Sequence, residues 1–277
     1  MKRPVPLFLS LLAAVALVPL PHGAFARGHH PPPPIALTYR GGPLLPHVRV
    51  ATLYWGADWS GSPLPGYFDR FFRSLFADGR FMANLAQYSV KSYPMGNGTF
   101  SGTATDSQPT PAYLQDAEIR TEIRAQIAAG RLPAPDGITV YFVFTPPGVE
   151  VFDQYGSNSV DDFYSYHNYD FGSDGFAYAV MPYDDSMGDS DPRLMTISAS
   201  HELSEAVTDP ENTGSDAQHG WFDGYYGEVT DIVDALYNDG FIGDADYTDA
   251  LHASDGTVYV VEKNWSVKDN APVAFAK

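Results

Sequence analysis

The stretch SASHELSEAVTDP, residues 198–210, decides how this part of the chain folds and what it can bind. Residues 195–207 suit a helix, and Pro210 ends it because the residue before a proline is pushed out of helical geometry. His201 and Glu205 are four residues apart, so they lie on one face of the helix and both side chains can reach one ion. The stretch therefore predicts a helix with an imidazole and a carboxylate side by side.

The order of His201 and Glu202 matches the first half of the H-E-x-x-H pattern, in which two histidines of one helix bind zinc and the glutamate is the general base. Glu205 stands where that pattern has its second histidine. The alternative is an ordinary amphipathic helix with a solvated polar face. That face would hold the residues at 198, 200, 201, 202, 204 and 205, with Ile197, Leu203, Ala206 and Val207 turned to the core. These residues alone leave both hypotheses open.

A metal site needs a further ligand, and the segment after the helix offers several. The candidates are Glu211, His219, Asp223, Glu228 and Asp231. Glu211 has the spacing of the third ligand in the extended H-E-x-x-H-x-x-G-x-x-H pattern, but that pattern requires glycine where this chain has Thr208. His219 remains an alternative because imidazole is a good zinc ligand.

The GEVTD stretch, residues 227–231, is the more attractive source of the third ligand. Glu228 follows Glu205 by 23 residues, a separation that suits a return of the chain through a loop between two helices. Asp231 could then hydrogen-bond His201 and fix its tautomer, as carboxylates beside metal-binding histidines commonly do. The residues therefore favour Glu228 as the third ligand and Asp231 as the group that supports His201.

Composition restricts the classes of function. The chain has 277 residues, 44% of them hydrophobic, which is enough for a large core. It has no cysteine, so disulfides, thiolate catalysis and thiolate zinc sites are excluded. The formal net charge of −18 argues against nucleic acid and anionic membrane surfaces as partners, and it suits a hard cation such as Ca²⁺.

The N-terminal residues predict export. Residues 1–26 read as a signal peptide, with a basic start, an apolar run over residues 5–20 and a small-x-small cleavage site at the end. Residues 27–40 begin RGHHPPPP and read as a proline-rich linker. The folded domain would then span residues 41–277. We therefore expect a secreted protein, extracellular or periplasmic, with no membrane association after signal cleavage.

Hydrophobic patterns along the domain alternate between strand and helix. We predict strands at residues 47–56, 138–144, 175–183 and 257–265, helices at 65–88 (divided at Gly79) and 112–129, and a short strand or turn at 98–104. No internal repeat and no second linker interrupts the pattern. The sequence thus predicts one α/β domain with a long, irregular C-terminal part.

Five motifs carry a resemblance to a known family: GGPLLPHVRVATLYWG, GRLPAPDGITVYFVFTPPGVEV, SASHELSEAVTDP, GWFDGYYGEVTDI and YVVEKNWS. In this order, from Gly41 to Ser266, they resemble bacterial relatives of the plant EXORDIUM-like (phosphate-induced protein) family. The resemblance implies an exported, zincin-like α/β (α+β) domain: a mixed sheet with packed helices, one of which carries an H-E-x-x-E motif. The chain departs from these relatives after Asp231, where they commonly have a cysteine.

Residue by residue, the resemblance implies His201, Glu205 and Glu228 at the metal, with Glu202 beside them. His167, in YSYHNYDFG, resembles a family histidine that could polarise a substrate carbonyl or bind the metal. The alternative for His167 is a turn histidine satisfied by backbone groups. In a zincin, the strand that begins at Gly175 would be the edge strand that lines the cleft.

The proposed ligands have a chemical consequence. One histidine and two glutamates cancel the charge of a dication, so the bound ion lowers the pKa of water less than a two-histidine zinc site does. We expect zinc, with Mn²⁺ or Ca²⁺ as alternatives because oxygen-rich ligands suit them.

Two functions remain open from the sequence. The first is a secreted zinc-dependent metallopeptidase-like hydrolase that acts on a peptide or protein, with Glu202 as general base. The second is a non-catalytic extracellular or cell-wall-associated binding module with a structural metal ion. In that module, exposed aromatic side chains would contact glycan or protein, and the candidates are Tyr164, Tyr166, Tyr225 and Tyr226.

Overall fold

The continuously apolar stretches of the sequence form the centre of a five-stranded sheet. The computed structural model describes residues 32–172, 174–183, 192–211 and 219–277. The strands of that region are β1 (Thr38–Tyr39), β2 (Arg49–Trp55), β3 (Thr99–Asp106), β4 (Tyr113–Gln115), β5 (Thr139–Thr145), β6 (Glu150–Phe152), β7 (Tyr166–Asp170), β8 (Phe176–Pro182), β9 (Trp221–Phe222), β10 (Thr248–His252), β11 (Val258–Glu262), β12 (Asn264–Ser266) and β13 (Ala271–Val273). Its helices are α1 (Leu64–Asp78), α2 (Arg80–Leu85), α3 (Asp116–Ala128), α4 (Arg193–Thr208), α5 (Asp231–Asn238) and α6 (Asp244–Tyr247).

The central sheet has the order β3-β2-β5-β8-β7. The first four strands are parallel, and β7 pairs antiparallel with β8. Every residue of β5 and β8 is buried, as expected for strands that are covered on both faces. The predicted strands at residues 138–144 and 175–183 are confirmed, and so is the prediction of an α/β chain with helices packed on a mixed sheet. Residues 98–104, left open between strand and turn, fall mainly in β3.

The expectation that the strand beginning at Gly175 forms the edge of the sheet is wrong. That strand is β8, which lies between β5 and β7. A short connection between Asp170 and Phe176 suits an antiparallel pair. The polar sequence YHNYD of β7 also suits an edge position better than the apolar FAYAVMP of β8. His167 therefore lies on the edge strand itself.

Helix α1 packs an aromatic stripe on the sheet. Phe68 stacks on Phe144 of β5 with ring centroids 4.9 Å apart, and Phe72 contacts Phe142 at 4.7 Å. The helix ends at Gly79, whose φ of 73° is a left-handed conformation that glycine adopts at little cost. Helix α2 begins at the next residue, so the predicted division at Gly79 is confirmed.

Helix α3 covers the opposite face of the sheet. Ile119 and Ile123 pack in one cluster with Tyr141 and Val143 of β5, whereas the residues that alternate with these two along β5 face helix α1. The helix predicted at residues 112–129 begins later, because β4 occupies its first residues. Glu118 Oε2 accepts a hydrogen bond from Gln115 N at 2.9 Å and caps the helix.

Helix α4 contains residues 198–208 of the stretch SASHELSEAVTDP, and its polar face is buried. The hydroxyl of Thr196 donates to Val260 O at 2.7 Å, and Glu262 N donates to the Ser200 hydroxyl at 2.8 Å, so β11 is fastened to this helix. Ser200, Glu202, Ser204 and Glu205 are all buried. The hypothesis of a solvated polar face is therefore wrong. Ile197, which that hypothesis turned to the core, is only half-buried.

The described chain joins the domain before Gly41. Strand β1 pairs antiparallel with β9, and Ala36 N donates to Asp223 Oδ2. Residues from Pro33 to Lys277 form one compact unit. The predicted signal peptide and residues 27–31 of the predicted linker lie outside the described residues. Within the described part of the chain, no helix has the length and apolar character needed to cross a membrane.

Candidate metal centre

Helix α4 brings two predicted ligands together. His201 Nε2 lies 3.2 Å from Glu205 Oε1, and both side chains are largely removed from solvent. The two residues are one helical turn apart, so their spacing of four in the sequence places them side by side. Burial alone would raise the pKa of Glu205, but the charge and hydrogen bond of His201, together with His167 and Thr230, lower it to about 2. Glu205 is therefore an ionised carboxylate between two histidines.

Glu262 supports His201 from strand β11. Its Oε2 lies 3.0 Å from His201 Nδ1, and the residue is 1% exposed. A carboxylate at Nδ1 favours the tautomer that is protonated there and leaves Nε2 with a lone pair for a metal ion. Glu262 is not among the site residues predicted from the sequence. The available signal was a glutamate within the apolar strand sequence VYVVE.

Asp231 contacts His201 differently from the expectation. Its Oδ1 is 3.8 Å from His201 Nε2, too far for the predicted hydrogen bond, and its Oδ2 accepts a hydrogen bond from Glu228 N at 3.0 Å. His201, Glu205 and Asp231 form a group whose ligand atoms all lie within 4.8 Å of one another. Ligand atoms of a tetrahedral zinc ion are about 3.3 Å apart, since each bond is about 2.0–2.1 Å long. These three residues fit one ion with modest movement of Asp231.

The loop before helix α5 also holds Glu205. The Thr230 hydroxyl donates to Glu205 Oε1 at 2.5 Å, and Asp231 N donates to the same oxygen at 3.2 Å. These contacts leave Oε2 directed at His167, whose Nδ1 is 3.6 Å away. The return of the chain through a loop, predicted from the spacing, thus reaches the helix at Glu205.

His167 lies at the centre of a second group of carboxylates. Its Nδ1 is 3.2 Å from Glu202 Oε2, and its Nε2 is 3.1 Å from Asp209 O and 3.5 Å from Glu228 Oε1. Burial alone would lower the pKa of His167, but the hydrogen bond and charge of Glu202, together with Glu205, raise it to about 9. The turn-histidine alternative is wrong in its location, since His167 is buried in β7.

Glu228, the predicted third ligand, lies on the His167 side of Glu205. Burial and the charges of Glu205, Asp209, Asp231 and Glu202 raise its pKa well above the usual value. Among the described residues, three groups could hold an ion: His201 with Glu205 and Asp231, His201 with Asp234 and Glu262, and His167 with Glu202 and Glu205. Glu228 belongs to none of them, although its backbone N–H fixes Asp231.

Glu202 lies between His167 and a cavity of about 430 Å³. The Ser165 hydroxyl donates to Glu202 Oε1 at 2.5 Å, so both carboxylate oxygens have partners. His201, Asp231, Asp234 and Glu262 line the same cavity. A general base needs to be within hydrogen-bond reach of water at the ion, and Glu202 shares the cavity wall with His201 and Asp231.

The remaining candidate ligands have structural contacts. His219 Nδ1 is 2.5 Å from Asp209 Oδ2, and its ring stacks on Phe222. Asp223 accepts backbone hydrogen bonds from Tyr225 and Tyr226 and from Ala36. Neither residue belongs to a candidate metal group of the described chain, and neither does Glu211.

The aromatic side chains proposed for partner binding divide into two pairs. Tyr164 and Tyr225 are 65% and 71% exposed. Tyr226 is buried, and its hydroxyl donates to Pro33 O at 2.9 Å, while the half-buried Tyr166 donates to Asp116 Oδ1 at 3.0 Å. The expectation of an exposed aromatic surface is therefore wrong for Tyr166 and Tyr226.

Comparisons with models of known protein families, with curated proteins and with solved structures each gave no match to this chain. The resemblance to EXORDIUM-like proteins therefore rests on the motifs quoted above.

Proposed function

We propose that this protein is a secreted, zinc-dependent metallopeptidase-like hydrolase with a zincin-like domain. Export is proposed from residues 1–26, and the substrate class from the cavity beside Glu202. The zincin-like assignment is supported by an antiparallel edge strand on a parallel sheet and by a helix with the sequence HELSE beside it. It agrees with the resemblance to EXORDIUM-like proteins.

The observation that carries the proposal is the surroundings of His201. Glu262 lies at Nδ1, and Nε2 is directed at Glu205 and Asp231. A carboxylate at the other ring nitrogen is the usual support of a metal-binding histidine. We therefore propose His201, Glu205 and Asp231 as the ligands, with Glu228 as an alternative third ligand.

A bound Zn²⁺ would polarise a carbonyl group and make water more acidic. His201, Glu205 and Asp231 would cancel its charge, so we expect weak activity that rises toward alkaline pH. Glu202 would accept the proton of the attacking water and pass it to the leaving amine. Ser165 and His167 hold the Glu202 carboxylate in position at the cavity wall. Mn²⁺ and Ca²⁺ are the alternative ions, because two of the three ligands are carboxylates.

A second candidate function is a non-catalytic binding module, with a structural ion in the same site. It is favoured by the exposed Tyr164 and Tyr225, whose rings are available to a glycan or a protein. In this case Glu202 would have no catalytic role, and its hydrogen bonds with Ser165 and His167 would be structural.

The test is the metal content of the mature chain, measured by mass spectrometry, in wild type, His201→Ala and the control His252→Ala. His252 is exposed on β10 and belongs to none of the metal groups. We expect about one zinc per chain in wild type and control, and loss in His201→Ala. Folded, metal-free wild type would contradict the proposal. Glu202→Gln then separates the two functions, because only a hydrolase loses an activity while keeping the metal.

A further inference from the structure

The cavity beside the candidate metal centre has acidic walls, in which His201 is the one basic side chain among the described residues. Five acidic side chains line it: Asp162, Glu202, Asp231, Asp234 and Glu262. No lysine or arginine lines it among the described residues. Lys263, next to Glu262 in the chain, is engaged elsewhere, since its Nζ donates to Ala245 O at 2.6 Å. Clefts lined by one sign of charge concentrate the opposite charge.

Glu262, one of the residues that line the cavity, has a buried carboxylate oxygen without a donor among the described residues. Glu262 Oε2 faces His201, but Glu262 Oε1 is buried and has no hydrogen-bond partner among the described residues. Leaving a buried acceptor unpaired is costly, so such atoms commonly mark the place of a ligand or an ordered water. A donor group of a bound molecule would remove this cost.

The cavity keeps negative charge even when a bound metal ion is taken into account. A dication would be offset by Glu205 and Asp231, and His201 would be neutral as its ligand. Glu202 is paired with His167 and Glu262 with His201, so Asp162 and Asp234 remain as acidic side chains that face the cavity. Phe163, Tyr164 and Tyr247 add aromatic surface, which also attracts cations.

We propose that the cavity selects substrates with an ammonium or guanidinium group, namely peptides with lysine or arginine next to the cleaved bond or with a free N-terminus there. This inference rests on the proposed peptidase function. Neutral and acidic peptides are disfavoured because they leave the wall carboxylates without counter-charge. The cavity volume of about 430 Å³ suits one or two side chains of a peptide.

The experiment measures peptide binding by fluorescence anisotropy with the Glu202→Gln chain, which does not consume the peptide. The probes are labelled peptides that differ only by lysine, glutamine or glutamate at one position, each with a free or an acetylated N-terminus. We expect the lysine peptide to bind roughly tenfold tighter than the glutamate peptide, and less so at high salt. Asp162→Asn and Asp234→Asn should each reduce this ratio. The matched controls Asp161→Asn and Asp239→Asn, which are exposed outside the cavity, should leave it unchanged.

The outcomes separate this inference from the proposed function. Equal binding of all peptides, no binding of any, or a lysine preference that survives Asp162→Asn and Asp234→Asn would overturn it. A preference that requires the free N-terminus supports it and assigns the α-amino group as the cation. A chain that prefers lysine but contains no metal and cleaves nothing overturns the peptidase proposal alone, and a zinc-containing peptidase with no lysine preference overturns the inference alone.

Discussion

Two buried regions share one side of the central sheet but have opposite chemistry. Beneath helix α1, Phe68, Phe72, Phe142 and Phe144 form an aromatic core in which every side chain is fully buried. Beneath helix α4, buried glutamates surround His167 and His201. Burial of the first region stabilises the fold by about 25 cal/mol for each Å² of apolar surface. Burial of the second region opposes folding, because charged groups lose their hydration.

The comparison separates a region whose burial stabilises the fold from a region whose buried charges cost stability. An excess of buried carboxylates over histidines is expensive unless protons or a cation compensate it. The candidate metal centre therefore lies where the chain gives up stability. We expect substitutions in the two regions to differ in how much they change the free energy of unfolding, in pH dependence and in their response to zinc.

The largest effect is expected from truncation in the aromatic core. Phe144→Ala removes a ring that stacks on both Tyr54 and Phe68, so we expect a loss of about 3–5 kcal/mol in the free energy of unfolding. Urea denaturation measures it. The control is Tyr113→Ala, whose side chain is 66% exposed and should change stability by less than about 0.5 kcal/mol. Zinc per folded chain should stay unchanged, and loss of zinc from the folded variant would show that the two regions are not separate.

The metal-free protein should become less stable as the pH rises from 5 to 7. Burial, only partly offset by His201, raises the pKa of Glu262 from 4.5 to about 8. The folded chain then holds a proton that the unfolded chain releases, so the free energy of unfolding falls as pH rises through this window. One group contributes about 1.4 kcal/mol per pH unit, or roughly 2–3 kcal/mol over the two units.

Two other groups of the candidate metal centre act in the same direction. Burial and the charge of Glu205 raise the pKa of Asp231 to about 7. Despite burial, the hydrogen bond and charge of Glu202 raise the pKa of His167 from 6.5 to about 9, so His167 contributes only above about pH 6.5. Urea denaturation with a chelator at pH 5, 6 and 7 measures the slope, and Glu262→Gln should reduce it. Zinc should weaken or reverse it by favouring the ionised carboxylates. A metal-free chain that gains stability between pH 5 and 7 would contradict the prediction.

The next effect concerns the support of His201. Glu262→Gln keeps the size of the side chain but replaces the carboxylate at His201 Nδ1, so we expect about a 10–100-fold loss of zinc affinity. Competition with a coloured chelator measures the dissociation constant. The matched control Glu150→Gln, on β6 and outside the metal groups, should bind zinc as wild type does. Unchanged affinity in Glu262→Gln would remove the proposed role of Glu262.

The sequence predicts the aromatic core better than it predicts the contacts among the charged residues of the candidate metal centre. The spacing of Phe68, Phe72 and Leu75 predicts helix α1 because helical period and burial follow from neighbours in the chain. The spacing of His201 and Glu205 predicts their contact for the same reason. The contact of Glu262 with His201 spans 61 residues and depends on how β11 packs on helix α4, which no local pattern encodes.

Two wrong expectations have related causes. Polar periodicity usually marks a solvated face, but here Glu202 contacts His167 on β7 and Glu205 contacts Thr230 in the loop before α5. The order of strands depends on pairing between distant segments, so the apolar run after Gly175 could not show that a more polar strand lies outside it. Sequence patterns therefore locate the elements, whereas their mutual packing assembles the site.

The smallest expected effect concerns Asp223, a buried acid whose contribution to stability has the opposite pH dependence from that of Glu262. Burial would raise the pKa of Asp223, but backbone N–H groups of Tyr226, Tyr225 and Ala36 hold it below the usual 3.8. A lowered pKa means that the stability from Asp223 is present above pH 3.8 and is lost as the pH falls through the folded pKa.

Asp223→Asn keeps an acceptor oxygen and loses the charge, so we expect a loss of about 1 kcal/mol at pH 7 and less at pH 3, measured by urea denaturation. Zinc content should not change, because Asp223 fastens the segment around Ala36 and belongs to no metal group of the described residues. If Asp223→Asn instead raised the free energy of unfolding of the metal-free chain at pH 7, Asp223 would destabilise the fold as the acids of the candidate metal centre do. The distinction between an acid that stabilises the fold and acids retained for a ligand would then be wrong.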